Sequence, residues 1–166
     1  MVGFNAEFFA VTYGAIVTSL LEELHDPGMV TKELDRMGFN IGQRCVDEYL
    51  ANSSSICTKF HHTATGVLGG LKMFLGCASG TITGCEPECS AYTIFVENNP
   101  LEKYVKLPAQ LDRLVYSQIV CGAIRGALSL IGYNVTVELI PAHNAMVHPL
   151  HLRVELQNEI TESFAC

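Results

Sequence analysis

The stretch from Cys57 to His62 places a thiol, a lysine and two imidazoles close together along the chain, in the order Cys-Thr-Lys-Phe-His-His. A cysteine becomes a nucleophile when a neighbouring imidazole takes its proton. His61 stands four residues on and could face the thiol if a helix began early. Neither a Gly-x-Ser-x-Gly turn nor a papain-like surrounding accompanies it. Cys57, after the polar run Asn52-Ser53-Ser54-Ser55-Ile56, leaves two other readings, an ordinary loop thiol, which the residues alone favour, and an acylated thiol at the mouth of a cavity.

The segment after Cys57 bears on that choice. Thr63 to Gly76 reads as an apolar helix interrupted by Gly66, Gly69 and Gly70. Each glycine costs about 1 kcal/mol relative to alanine in a helix interior. Such a cost is explained when something needs the room a side chain would fill, here a bound or attached hydrophobic group.

Other candidate chemistry is weaker. Cys77, Cys85 and Cys89 could ligate a metal, but Glu86-Pro87-Glu88 makes an odd knuckle and no fourth ligand is evident. Small loop residues are the better reading. His143, His148 and His151 have no accompanying cysteine or carboxylate pattern and read as solvated. No metal, phosphate-cradling loop or catalytic residue is assigned. Arg125 lies inside an apolar helix, where an unpaired charge is very costly. It is expected to pair internally or with a neighbouring chain rather than to bind a carboxylate substrate.

The elements that must position these groups emerge from periodicity. Residues 5 to 24 form a helix capped by Asn5, with Phe9, Tyr13, Ile16, Leu20 and Leu24 at helical spacing. His25-Asp26-Pro27-Gly28 ends it. A second helix runs to about Ala51, its buried side marked by Val30, Leu34, Met37, Ile41, Cys45 and Tyr49. Gly38 and Gly42 lie four apart on one face, where another element can approach closely. A third helix spans about Phe60 to Leu75 and closes at Gly76. A small-residue loop from Cys77 to Ser90 leads to a strand through Tyr92, Ile94 and Val96 with both faces partly buried. Asp112 to Tyr133 is a fourth helix, apolar nearly all round and therefore central. Two strands, around Val135–Leu139 and Leu150–Gln157, form a closing hairpin. The fold class is α+β, with helices packed on one side of a small antiparallel sheet. Residues 1 to 166 read as one domain without internal repeat or linker.

Composition narrows the function classes. Charged residues make up 16% of the chain, against about 25% in typical domains, and 49% is hydrophobic, so apolar surface is left for a partner or ligand. A net charge of −7 argues against nucleic acid and against a polybasic membrane contact over the whole surface. Met1-Val2-Gly3-Phe4-Asn5 has no charged n-region, and no apolar run reaches the ~20 residues of a membrane span. Seven cysteines without disulfide-type spacing fit a reducing, cytoplasmic setting.

Four segments, in order and spacing, carry a family resemblance. They are Thr12-Tyr13-Gly14-Ala15-Ile16-Val17, Met37-Gly38-Phe39-Asn40-Ile41-Gly42, Glu97-Asn98-Asn99-Pro100-Leu101, and Tyr116-Ser117 with Cys121-Gly122-Ala123-Ile124-Arg125-Gly126-Ala127-Leu128. Together they closely resemble the Bet-three-type core subunits of the transport protein particle (TRAPP) vesicle-tethering complex, over about Phe8 to Val154. The resemblance implies a non-enzymatic scaffold, dimerising through helices and assembling with other TRAPP subunits. The assembly acts as an exchange factor for a Rab-family GTPase in ER-to-Golgi transport, peripheral to Golgi and ER-Golgi membranes. It also implies a palmitate-like fatty acyl chain on Cys57, lying in an internal hydrophobic tunnel that Gly66, Gly70, Leu71 and Phe74 line, with Gly70 the small residue that keeps the tunnel open.

Two departures from the family pattern stand out. The stretch from Leu50 to Lys72 is about two residues shorter, and each missing residue turns a helix by about 100°. A tryptophan usual after the third helix is absent, with Cys85 near its place. The alternative reading is a small-molecule-sensing domain of the related four-vinyl-reductase type, holding a hydrophobic ligand without a covalent bond. A cysteine hydrolase or acyltransferase would need an imidazole within reach of Cys57.

Overall fold

The computed structural model describes residues 6–52, 59–77, 79–141 and 149–160. Helices α1 (Ala6–Leu24) and α2 (Pro27–Asn52) come first. Between them His25 takes a left-handed φ of 57°, and the Asp26 carboxylate accepts a hydrogen bond from the Gly28 amide at 3.0 Å. Pro27 opens α2, where its missing N–H costs nothing. The expected Asn5 cap lies outside the described residues. A 3-10 turn (Phe60–His62) leads into α3 (Thr63–Leu75), which ends at Gly76 with φ 66° as its C-terminal glycine requires.

The strands β1 (Thr81–Thr83), β2 (Ala91–Val96), β3 (Tyr133–Leu139) and β4 (Leu150–Glu159) form one antiparallel sheet in the order β1-β2-β4-β3. β1 falls in the segment expected to be loop. Three residues between Gly80 and Gly84 are too few to show a period. β2 directs Tyr92, Ile94 and Val96 into the core, with Thr93 half-buried and Phe95 exposed on the other face. Leu150, Leu152 and Val154 of the central strand β4 are fully buried beside Ile94 and Val96. The helices pack on one side of this sheet, as the α+β pattern requires.

Helix α4 is Gln118–Leu130, six residues shorter at its start and three at its end than its apolar pattern implies, and Tyr133 opens β3 instead. Tertiary hydrogen bonds compete there with helix formation. The Val115 amide donates to the Thr31 hydroxyl at 3.1 Å, and the Tyr116 carbonyl accepts from the Tyr13 hydroxyl at 2.5 Å. Buried Asn99 donates to Ser117 at 2.7 Å, and Ser117 donates to Glu102 at 2.6 Å. The segment before α4 is thereby fixed as turns.

α2 and α4 meet backbone to backbone. A Cβ on Gly38 or Gly42 would strike the Ile119 or Ala123 backbone of α4, and one on Gly122 or Gly126 would strike the Asp35 or Phe39 backbone of α2. Four glycines interlock where each helix needs the other's missing side chains. The buried line of α2 accordingly runs Val30, Leu34, Gly38, Gly42, Val46. This corrects the expected stripe beyond Leu34: Met37, Cys45 and Tyr49 are half-buried and Ile41 is 44% exposed. Arg125 forms an ion pair with Asp35 across the same contact, and Gln118 donates to that carboxylate at 3.0 Å. The charge is paired within the chain.

Candidate functional site

The four helices wall a cavity of about 370 Å³ that is open on one side, where Ile41 and Leu50 reach solvent. From α3 it is lined by Thr63, Gly66, Val67, Gly70, Leu71, Phe74 and Leu75, at i, i+3, i+4, i+7, i+8, i+11 and i+12, one stripe of the helix. Two of those seven positions are glycine. A Cβ placed on Gly70 would meet no atom within 4 Å, so the missing side chain adds directly to the space. α2 contributes Ile41, Gly42, Cys45, Val46, Tyr49 and Leu50. α1 adds Phe9 and Tyr13, and Leu101 enters from the segment after β2. α4 supplies Ala123 and Ala127 among larger residues, including Ile119, Ile124 and Ile131.

The Tyr13 and Thr63 hydroxyls in these walls are already engaged. The Tyr13 hydroxyl donates to the Tyr116 carbonyl, and Thr63 donates to the Phe60 carbonyl at 2.6 Å while sharing a hydrogen bond with the Tyr92 hydroxyl at 2.9 Å. Burial pushes the Tyr13 hydroxyl far above its usual pKa, with Tyr116 and Glu102 adding to the shift. Burial also pushes the Cys45 thiol up. What remains is a hydrophobic container. At about 24 cal/mol per Å³, a closed, dry void of this volume would cost on the order of 9 kcal/mol, an upper bound for a cavity open on one side.

Gly66, Gly70, Leu71 and Phe74 are therefore brought together on one wall. Gly69 is not among them. A Cβ there would strike the Tyr49 hydroxyl, so its space is taken by a side chain of α2 rather than left to the cavity. The sequence pointed only to the α3 wall. The α2 and α4 walls escaped it because their lining residues were read as ordinary core or as helix-packing positions, although Ala127 was visible as a small residue in an apolar helix.

Cys57 lies outside the described residues, as do His143 and His148. His61 and His62 stack with ring centroids 4.1 Å apart, and His61 has a lowered pKa, first through partial desolvation and then through His62 and Lys59. Cys77 is buried, and the Cys85 thiol donates to the His61 carbonyl at 2.9 Å. Among the described residues no three His, Cys, Asp or Glu side chains are grouped to hold a metal. His151 packs against the Phe95 ring at 5.6 Å. No described helix is long and apolar enough to cross a membrane.

Comparison with known proteins gives this container a setting. Residues 9–160 match the model of the family described as transport protein particle (TRAPP) component. A trafficking protein particle complex subunit 3 of Dictyostelium discoideum is 39% identical over 134 residues, covering 79% of this chain and 72% of the relative. Transport protein particle subunit bet3 of Schizosaccharomyces pombe is 38% identical over 134 residues, with the same coverage of 79% and 72%. Among solved structures, a trafficking protein particle complex subunit 3 from Naegleria fowleri, covalently bound to palmitic acid, superimposes with a TM-score of 0.85 at 32% identity, covering 95% of this chain and 98% of that one. With the family pattern running through nearly all of the described helices and strands, the chain belongs to the TRAPP component family.

Proposed function

We propose that this protein is a non-enzymatic core subunit of a TRAPP vesicle-tethering complex, and that it carries a long-chain fatty acyl group, palmitate or similar, as a thioester on Cys57. The observation that supports this most is the apolar cavity walled by Gly66, Gly70, Leu71 and Phe74. Cys57 precedes Lys59 by two residues, a span of at most about 7 Å. Buried Phe60 and cavity-lining Thr63 come directly after. A related subunit that holds palmitic acid covalently adds support.

Burial returns about 0.8 kcal/mol per methylene, on the order of 10 kcal/mol gross for a sixteen-carbon chain. The apolar lining favours an acyl chain that acts as part of the core rather than as an outward anchor. The chain works as one domain over residues 1 to 166. It joins other TRAPP subunits through exposed helix faces; on α1, Phe8 and Val11 are 72% and 71% exposed. Dimerisation through helices, a share in Rab-family nucleotide exchange by the assembled complex, and peripheral residence at Golgi and ER-Golgi membranes accompany the same membership.

Intact mass of the purified protein tests the acyl group. The expected result is one long-chain adduct that hydroxylamine removes and that Cys57→Ser protein lacks, with a lower melting temperature for the variant. A hydrophobic molecule that organic solvent extracts, with Cys57 unmodified, would support the non-covalent alternative instead.

A further inference from the structure

We infer that Tyr49 is a movable wall of this cavity, that Gly69 is the socket holding it open, and that the pair sets the length of acyl chain accepted. The inference rests on the reading of the cavity as an acyl site. Tyr49 lies in the last turn of α2 and lines the cavity. Its ring tip reaches across to α3, where a Cβ on Gly69 would strike the hydroxyl and come within 3.1 Å of Cε2 and Cζ. Gly69 and Gly70 are adjacent, about 100° apart around the helix, and do opposite things. Gly70 faces open space, whereas Gly69 accepts a side chain.

Among the described residues the Tyr49 hydroxyl makes no hydrogen bond, and the bare backbone of Gly69 is what leaves room for its tip. A tyrosine tip is the far end of a flexible side chain and gives way easily when its seat is filled. The apolar ring body and the apolar walls favour a swing into the cavity over one into water. Displacement inward shortens the space beside Leu50 at the α2 end; removal of the ring lengthens it.

The test uses unacylated Cys57→Ser protein and free decanoic, myristic, palmitic and stearic acids as probes, with affinity read by fluorescence competition. Gly69→Ala, which also favours the helix, is expected to weaken palmitic acid about tenfold and move the preferred acid to a shorter one. Adding Tyr49→Phe, which removes the colliding oxygen, restores the original ranking. Tyr49→Ala moves the preference to a longer acid. Circular dichroism checks that each variant keeps its helices. An unchanged ranking in Gly69→Ala, a shortened preference that persists with Tyr49→Phe, or no binding of any of the acids overturns the inference. Wild-type protein without a thioester, alongside the expected shifts for the free acids, would remove the Cys57 reading and leave Tyr49 as the wall.

Discussion

Single residues here mostly serve the core, and their titration shows it. Burial raises the Cys121 thiol from its ordinary 9.0 to about 12, with Asp35 adding to the effect. The unfolded chain releases this proton near pH 9 and the folded chain does not. Above pH 9 the native state therefore binds more protons, and stability falls as pH rises towards 12, by at most about 1.4 kcal/mol per pH unit for this group. Urea midpoints measured from pH 8 to 11 should decline, and Cys121→Ala should decline less steeply; equal slopes would show that this thiol is not the cause. Arg125 illustrates what sequence can say at this scale. An Arg inside an apolar helix demands a partner, but only the folded contact shows that it is Asp35. Cys57 stood out because a glycine-rich apolar helix comes after it, whereas Tyr49 gave no signal. A tyrosine at helical spacing reads as core until the neighbouring Gly69 is seen to receive it.

At the scale of elements, α1, α2 and α3 were legible almost to their described ends from turn residues, the closing Gly76 and apolar spacing, although in α1 Ala10 and Val17 are buried and the expected Ile16 is exposed. β1 was too short to read, and the start of α4 was set by distant partners, Thr31 and Tyr13, that no local pattern contains. The crossing of α2 and α4 was half legible: Gly38 and Gly42 announced a close approach, and Gly122 and Gly126 complete it. Gly122→Ala puts a methyl against the Asp35 carbonyl and should destabilise by about 1–3 kcal/mol or more. Thermal melting should fall by about 2–12 °C, given roughly 2–4 °C per kcal/mol at this chain length. Gly70→Ala meets no protein atom, so in Cys57→Ser protein it should melt no lower than its parent. A fall as large as that of Gly122→Ala would mean that the space beside Gly70 closes in solution.

For the whole molecule the central claim is that a lipid completes the core. The apolar walls of α1, α2, α3 and α4 converge on a volume that the side chains leave open; Gly66 lines it on the α3 wall and Gly70 widens it there. Family membership was legible from four long segments, and the α+β architecture from the order of helical and strand periods. The cavity's extent was not, because it is bounded by residues far apart in sequence. Gly70→Leu should fill the space from within and abolish acylation of Cys57 while keeping the fold, which intact mass and circular dichroism together would show. The most direct measurement is a crystal structure of the protein as purified. The account predicts electron density running unbroken from the Cys57 sulfur past Gly66 and Gly70 into the cavity. A free Cys57 thiol, with neighbouring side chains collapsed over Gly70, would contradict it.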